Sequence, residues 1–423
     1  MPTLSDKLKA LGVKVGAQDL PPPRPPDPNQ LGQVLGGQVI PTHQGETFLV
    51  ESFYPIGHPH GQAGLQVTAP LGALARWAGA ERIAQLPVQS FAFLDTETTG
   101  LAGGSGTYTF LIGVGRFEES QFHLAQYFMR DPAEEPAQLA AFEEFLAPCQ
   151  ALVTFNGKTF DAPLLAARFI AQGWQSPLTD LAHIDLLHLA RRLWRDRLPS
   201  RSLSNLEWQI LGALRTEEDV PGWMVPALYF QYLNNGDVQP LKKIFYHNAM
   251  DVLSLSALMD HMACLLSDPF EGGKHHSVDL IALARLFEDL GDLETATRLY
   301  IHGLEHDDVR LERLPQALLL EAIQRLAHIH KQQENYPAAV ALWLQAVNYQ
   351  HLEAHLELAK YYEHHLRDYS EAIHWTQAAI EVVESLPELV EHPMYLPLYE
   401  RHRWLEELHH RLARLQNKLS SSQ

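Results

Sequence analysis

In the segment FAFLDTETTGL, residues 91–101, two acidic residues follow the short apolar stretch FAFL. Asp95 and Glu97 stand two positions apart, and alternate residues of a β-strand point to the same face, so both carboxylates project together from one strand end. Two neighbouring carboxylates repel each other unless a cation keeps them ionised. The spacing therefore indicates a cation site, although the same pattern standing alone is also typical of a solvated loop.

Three further residues can join this pair. Asp161, in NGKTFDAPLL, lies where a helix is predicted to begin, and an aspartate at that position is also a common helix cap. In YHNAMDVLSL, His247 and Asp251 are four positions apart, which on a helix brings an imidazole and a carboxylate to one face. Sites rich in carboxylates favour Mg²⁺ or Mn²⁺ over zinc. Two such ions can hydrolyse a phosphodiester while a neutral imidazole removes a proton from water.

The elements that would position these residues follow an α/β order. The apolar stretch ending at Asp95, then TFLIGVGRF and FHLAQYFM, predict three strands in an antiparallel meander. A helix near residues 134–146, the strand ALVTF, the helix APLLAARFIAQG and the strand-like LAHIDLL follow. This order predicts a ribonuclease H-like domain at residues 90–266, with a mixed five-stranded sheet flanked by helices.

The segment before this domain carries no recognisable chemistry. Residues 1–30 end in PPPRPPDP, which predicts an extended tail or linker. Residues 31–89 predict a mixed accessory segment with the strand GETFLVESFYP and a helix from Leu71 to Ala84. His58 and His60, in GHPHG, have a metal-ligand spacing, but the flanking Gly and Pro favour a turn.

After Asp268 the sequence predicts only helices, with an internal period over residues 275–420. Small residues recur in corresponding places, and the last of the three pairs is one residue wider: Ala284 with Ala296, Ala327 with Ala339, and Ala359 with Ala372. Rings at Phe287, His330 and Tyr362 follow the first alanine of each pair. The pattern resembles tetratricopeptide repeats, with generic helical hairpins as the alternative.

Composition limits the compartment and the partners. The chain of 423 residues has 32 basic and 51 acidic side chains, a net charge of −19, which argues against a non-specific coat on duplex nucleic acid. Residues 157–215 nevertheless hold eight Lys or Arg against five acids, either a solvated helix face or a local phosphate-binding patch. With only Cys149 and Cys264, no signal-peptide core and no apolar stretch of about 20 residues, a cytoplasmic protein is expected.

The order DTETTG, NGKTFD and HNAMD resembles the three exonuclease motifs of the DEDD (DnaQ-like) superfamily. The stretch from Ser90 to about Leu265 resembles the YprB-like ribonuclease H branch of that superfamily. The resemblance implies a 3′-to-5′ exonuclease with two Mg²⁺ or Mn²⁺ ions. The implied metal-binding acids are Asp95, Glu97, Asp161 and Asp251.

The base departs from the family pattern. The histidine subclass places its base five positions before the last aspartate, and the tyrosine subclass places it four before. Here His247 stands at four and Tyr246 at five. Helical geometry favours His247, because residues four apart share a face, and Tyr246 is kept as the alternative.

Other residues take weaker assignments. The resemblance implies contacts to a terminal nucleotide from six residues: Thr98, Thr99, Leu101, Asn156, Lys158 and Phe160. For Asn156 and Phe160, a strand-end position and a core position are the alternatives. Asp185 ends a predicted strand near the site but receives no catalytic role. The core is expected to take up three tryptophans, Trp194, Trp208 and Trp223.

The leading hypothesis is a metal-dependent 3′-to-5′ exonuclease acting on single-stranded or frayed nucleic acid, with a helical-repeat domain that recruits a protein partner. A catalytically silent scaffold and a structure-selective endonuclease are the alternatives. The choice between DNA and RNA stays open, because it depends on contacts to the 2′-hydroxyl that no motif here encodes.

Overall fold

A computed structural model describes residues 28–100, 106–270, 276–311, 313–385 and 397–422. Leu101 of the predicted nucleotide-binding set, and nearly all of the predicted proline-rich tail, lie outside these residues. The chain divides into two compact units, one of residues 1–191 and 200–268 and the other of residues 192–199 and 269–423.

The first unit is built on a mixed sheet. Its strands, together with a separate short hairpin of β3 and β4, are β1 (Gln38–Thr42), β2 (Gly45–Pro55), β3 (Pro59–His60), β4 (Ala63–Gly64), β5 (Phe91–Thr98), β6 (Thr109–Phe117), β7 (Gln121–Phe128), β8 (Ala151–Thr154) and β9 (Ala182–Asp185). The large sheet has the order β1-β2-β7-β6-β5-β8-β9. The pairs β1–β2, β2–β7, β7–β6 and β6–β5 are antiparallel, and the pairs β5–β8 and β8–β9 are parallel.

The predicted meander and the two strands after it are present, but the expected count of five strands was wrong. The sheet has seven strands, because β1 and β2 of the accessory segment join its edge. Val50 of β2 pairs with Gln126 of β7, a long-range partner that local sequence patterns do not reveal. The accessory segment is therefore part of the same unit as the predicted catalytic domain.

The helices of this unit cover both faces of the sheet. They are α1 (Pro28–Leu35), α2 (Gly72–Ala78), α3 (Glu135–Leu146), α4 (Asp161–Ala171), α5 (Leu186–Trp194), α6 (Leu203–Leu206), α7 (Val225–Asn235) and α8 (Leu241–Ser267). A π-helical turn, Glu207–Leu211, follows α6, and 3₁₀ turns occur at Glu81–Gln85, Val88–Ser90, Pro132–Glu134 and Gly222–Met224. The helix predicted to reach Ala84 ends at Ala78, because Gly79 adopts a left-handed conformation with φ of 65°.

Alternation along the strands sorts the core into two layers. Leu94 packs with Phe142 of α3 and Phe169 of α4 on one face of the sheet. Phe128 packs with Phe245 of α8 on the other face. Asp95, next to Leu94 on β5, therefore points towards α8.

Helix α8 crosses close to the middle of the sheet. Gly113 of β6 pairs with Asp95, and a Cβ at Gly113 would lie 2.0 Å from Asn248 Oδ1 of α8, so a glycine is needed for this approach. Among the described helices, α8 alone is long and apolar enough to cross a membrane, yet 61% of its apolar window is buried in the protein. Its apolar surface serves the core of this unit.

The second unit is helical. Its helices are α9 (Ser277–Asp289), α10 (Leu293–Glu305), α11 (Asp307–Arg310), α12 (Gln316–Gln332), α13 (Tyr336–Val347), α14 (Leu352–Tyr361), α15 (Tyr369–Ser385) and α16 (Leu398–Ser422). Consecutive helices pack as hairpins, α9 with α10, α12 with α13 and α14 with α15. All six alanines of the predicted repeat pattern are fully buried.

Two irregularities in the repeat spacing have structural causes. The extra short helix Asp307–Arg310 lengthens the connection between the first two hairpins, which accounts for their larger offset. A π-helical turn at Tyr362–Leu366 adds a residue between Ala359 and Ala372, which accounts for the wider third pair. The tetratricopeptide assignment stays a prediction.

Candidate active site

Asp95 of β5 is held by a buried amide network. Asn248 Nδ2 of α8 donates to Asp95 Oδ2 at 2.9 Å and to the Asp95 carbonyl at 3.2 Å. Gln126 Nε2 of β7 donates to Asn248 Oδ1 at 2.9 Å and to the Phe245 carbonyl at 2.9 Å. Because Asn248 and Gln126 are buried, this network fixes which way the Asp95 carboxylate faces.

Glu97 is buried, and one of its carboxylate oxygens is unpaired within the described part of the chain. It lies two residues after Asp95 on the same strand, and its side-chain Oε1 has no hydrogen-bond partner among the described residues. Burial raises the pKa of Glu97 well above its usual range, and the negative charges of Asp251 and Asp161 raise it further. An unpaired buried carboxylate oxygen is costly unless a ligand or cation satisfies it.

Asp161 is the first residue of α4. Thr96 Oγ1, on the opposite face of β5 from Asp95, donates to Asp161 Oδ1, so the sheet ties down the helix start. The residue that caps α4 is Phe160, and no side chain makes the cap hydrogen bond. Burial raises the pKa of Asp161 to about 6. The Asp161 carboxylate is thus directed to the sheet edge that carries Asp95 and Glu97.

His247 and Asp251 lie together on α8. His247 Nε2 is 3.5 Å from Asp251 Oδ2, and His247 Nδ1 is 2.7 Å from Asp219 Oδ1. Arg215 Nη1 lies 3.0 Å from the same Nδ1, so Asp219 and Arg215 both engage Nδ1, and Nε2 is the ring nitrogen that faces Asp251. The Tyr246 hydroxyl instead accepts a hydrogen bond from the Thr216 amide at 2.9 Å. This geometry favours His247 over Tyr246 as the base.

The four predicted metal-binding acids influence one another electrostatically. Burial raises the pKa of Asp95 well above its usual range, and the charges of Asp251, Glu97 and Asp161 add to this effect. Across the described residues, no group of three or more His, Cys, Asp or Glu side chains stands close enough together to hold a metal ion. Carboxylates that repel one another do not close without a cation, and the unpaired Glu97 Oε1 is the atom best suited to take one.

Arg215 and Glu207 belong to the site but were missed in the sequence. Arg215 Nη2 donates to Asp251 Oδ1. Its Nε and Nη2 also donate to the buried Glu207 carboxylate at 2.7 and 2.6 Å. A π-helical turn that ends at Gly212, which adopts a left-handed conformation, brings Glu207 next to Arg215. No periodic pattern in the sequence indicates this contact.

Asp185 has a structural role in the loop that precedes Asp161. It is 1% exposed, and its carboxylate accepts from the backbone amides of Asn156 at 2.8 Å, Lys158 at 3.1 Å and Leu187 at 3.1 Å. Asn156 has a φ of 68°, a left-handed conformation that asparagine tolerates better than most residues. Asp185 therefore holds the tight turn between β8 and α4.

The remaining predicted nucleotide-binding residues surround this turn and the end of β5. Lys158 and Phe160 are exposed, and the Phe160 ring is 53% accessible. The hydroxyls of Thr98 and Thr99 serve the loop after β5, where Thr98 donates to the Gly100 carbonyl and Thr99 accepts from the Tyr108 amide.

The expectation for the tryptophans was correct for one and wrong for two. Trp194 is buried, but Trp208 and Trp223 are 59% and 74% exposed. A Cβ at Gly222, the residue before Trp223, would lie 3.8 Å from His247 Nε2. Large apolar side chains carry no local signal for the side of the fold on which they end, and Trp223 follows a proline and a glycine in a short 3₁₀ turn.

The basic stretch of residues 157–215 is largely neutralised. Five of its eight basic side chains form ion pairs: Arg168 with Glu135, Arg192 with Asp289, Arg195 with Asp196, Arg197 with Asp279 and Arg215 with Glu207. A broad phosphate-binding patch is not supported; Lys158 is an exposed cation in the loop before Asp161.

Comparisons with known proteins agree with this architecture. Residues 92–263 match the family model of the RNase H superfamily, whose members are usually nucleases that use divalent metals. The chain is 31% identical to the protein YprB of Bacillus subtilis (strain 168) over 383 residues, which cover 87% of this chain and 85% of that protein. The chain therefore belongs to the YprB family and carries a domain of the RNase H superfamily.

Proposed function

We propose that the RNase H-like domain is a divalent-metal-dependent exonuclease of the DEDD type that removes nucleotides from the 3′ end of single-stranded or frayed nucleic acid. The observation that carries the proposal is that the charges of Asp161 on α4 and Asp251 on α8 act on Asp95 and Glu97 of β5, with Glu97 buried and its Oε1 unpaired among the described residues. The direction of digestion follows from the motif resemblance, and hydrolysis follows from the acids.

Asp95, Glu97, Asp161 and Asp251 would hold Mg²⁺ or Mn²⁺, because these ions prefer carboxylate oxygens. When bound, the ions would stabilise the negative charge that develops on the phosphate and promote the ionisation of water. Asn248 keeps Asp95 facing the site through two hydrogen bonds.

His247 would accept the proton of the attacking water. Its Nδ1 is engaged with Asp219, so Nε2 is the nitrogen available on the side of Asp251. In other enzymes too, a histidine that acts as a base is oriented by a neighbouring carboxylate, as His247 is here by Asp219. Asp219 is thus proposed as the group that orients the base.

Exposed rings near the site suit a single strand. Phe160 precedes Asp161 and is 53% exposed, and Trp223 follows Gly222, where an added Cβ would lie 3.8 Å from His247 Nε2. Unpaired bases stack on such rings without regard to sequence, at about 1–3 kcal/mol per base. A base-paired end would have to fray before its bases could reach these rings.

The helical unit is proposed to bind a protein partner. It holds a cavity of about 430 Å³ with charged side chains of both signs in its lining, including Glu321, Arg325, Lys331 and Glu357. Such a lining suits a polar peptide segment better than a nucleic-acid backbone, because its acids would repel phosphates.

The test uses the full chain and 3′- or 5′-labelled oligonucleotides with Mg²⁺ or Mn²⁺. Wild type should release mononucleotides from the 3′ end, and the double variant Asp95→Asn, Asp251→Asn should not. Equal activity of the two proteins would contradict the proposal. Cleavage of circular or end-blocked substrate would indicate an endonuclease instead, and parallel DNA and RNA substrates identify the preferred sugar.

A further inference from the structure

One guanidinium shares the site with the predicted metal-binding acids. Besides its bond to Asp251 Oδ1, Arg215 places Nη1 3.0 Å from His247 Nδ1 and 3.5 Å from Asp219 Oδ1. The side chains of Arg215 and Asp251 are only 10% and 14% exposed. Water screens such a pair less than it screens a surface pair, so its charges act more strongly on nearby groups.

Arg215 is also fixed from behind by a chain of buried hydrogen bonds. Glu207 binds it with both oxygens and accepts from Ser254 Oγ at 2.6 Å. Ser254 Oγ lies 2.7 Å from His60 Nε2, and since the serine proton goes to Glu207, His60 is the donor in this contact. The guanidinium is therefore anchored, unlike that of a surface arginine that can swing away.

The anchor begins in the accessory segment. His60 is 5% exposed in the β3–β4 hairpin, and the Gln62 amide of the same hairpin donates to the Leu211 carbonyl at 2.7 Å. Gly61 has a φ of 65°, and a Cβ there would lie 2.3 Å from the Leu211 carbonyl, so the hairpin is seated directly on the π-helical turn that carries Glu207. His58, two residues earlier, takes no part in this chain of hydrogen bonds.

A guanidinium anchored against Asp251 has two opposed effects. It stabilises the ionised Asp251 carboxylate and holds it in place, which helps an arrangement of acids that would otherwise repel one another. It also repels any other cation that approaches Asp251, because like charges a few ångströms apart interact strongly where water is excluded. The Arg215 guanidinium thus competes with a metal ion for the Asp251 carboxylate.

We propose that Arg215 is a positioning residue that holds Asp251 by an internal ion pair and thereby weakens and sets the affinity of the site for Mg²⁺ or Mn²⁺, with Glu207, Ser254 and His60 as its anchor. The proposal rests on the proposed function, since it takes the four acids as metal ligands. It gives the accessory segment a role in the active site.

The decisive variant exchanges the ion pair for neutral amides, Glu207→Gln with Arg215→Gln. The net charge of the protein stays the same, while the positive charge in contact with Asp251 is lost. Calorimetric titration of the metal-free full chain with Mn²⁺ alone should give binding tighter by on the order of tenfold. Turnover on oligonucleotides should fall, because Asp251 and His247 lose a neighbour that positions them. A purely structural role would weaken both properties together.

A matched control makes the same exchange at another buried pair, Glu135→Gln with Arg168→Gln, where Arg168 Nε donates to Glu135 at 2.5 Å. This control should leave the affinity for Mn²⁺ unchanged. If the amide pair at Glu207 and Arg215 does not fold, Glu207→Met with Arg215→Met replaces it, since apolar substitution of a buried ion pair is often tolerated.

The outcomes separate the two proposals. Tighter Mn²⁺ binding in the Glu207 and Arg215 variant, with the control unchanged, supports the role of Arg215. Equal or weaker binding in that variant overturns the role of Arg215, and the proposed function stands as long as wild type binds Mn²⁺. Absence of Mn²⁺ binding in every protein overturns both.

Discussion

Replacement of Asp185 tests whether this buried acid holds the loop before Asp161. In Asp185→Ala three backbone amides lose their acceptor, those of Asn156, Lys158 and Leu187. Hydrogen bonds to a charged group contribute about 1.5–3 kcal/mol each, and less where water can replace them. Since two of the three amides lie on a partly exposed turn, we expect a loss of about 3–4 kcal/mol in the free energy of unfolding.

The conservative variant gives a graded result. In Asp185→Asn the remaining carbonyl oxygen can still accept from Asn156 and Leu187, which both bond to Oδ1, whereas the new amide faces the Lys158 amide, donor against donor. The expected loss is therefore smaller, about 1 kcal/mol. The rate of the reaction should fall by more than the loss of stability alone would cause, because a displacement of about 1 Å at a positioning residue can cost about a hundredfold in rate.

Urea unfolding measures the stability, and hydrogen exchange of residues 155–161 measures the loop directly. Asp180→Ala, at an exposed acid in the connection before β9, is the matched control and should behave as wild type. Unchanged protection of the loop amides in Asp185→Ala would refute the reasoning, whatever happens to activity.

Three further changes have defined outcomes. Gly113→Ala places a Cβ where Asn248 Oδ1 lies, so we expect a loss of about 1–3 kcal/mol in urea unfolding and a drop in nuclease activity; wild-type values for both would contradict the tight approach of α8. Trp223→Ala should leave stability within about 0.5 kcal/mol, because the ring is 74% exposed, yet weaken single-strand binding by about 1–3 kcal/mol in a fluorescence titration; unchanged affinity would exclude stacking. Burial lowers the pKa of His183 from 6.5 to about 4. The unfolded chain therefore takes up a proton first, and stability should decline as the pH falls from about 6.5 to about 4, by at most roughly 3 kcal/mol. His183→Gln should flatten that part of the stability profile, and an unaltered slope would assign the effect to other groups.

Local patterns were sufficient for the parts of the fold that depend on short-range rules. The strand that carries Asp95 and Glu97, the helix that begins at Asp161 and the helix that carries His247 and Asp251 were all predicted, because apolar periodicity and turn residues operate within about ten positions of the chain. The recurrence of alanines in the helical unit was recognised for the same reason, and the structure buries all six. Strand count failed, since the pairing of β2 with β7 joins residues far apart in sequence.

The amino-acid sequence by itself determined which acids and which two candidate bases, His247 and Tyr246, this protein offers, and on which elements they stand. Only the tertiary structure decided what surrounds them: Arg215 against Asp251, Asp219 behind His247, Asp185 beneath the loop, and His60 at the start of the anchor. The physical reason is that each of these contacts joins groups from 28 to 194 positions apart in the sequence. Burial and charge bring such groups together only once the sheet and α8 have packed, and no short-range periodicity in the sequence indicates these contacts.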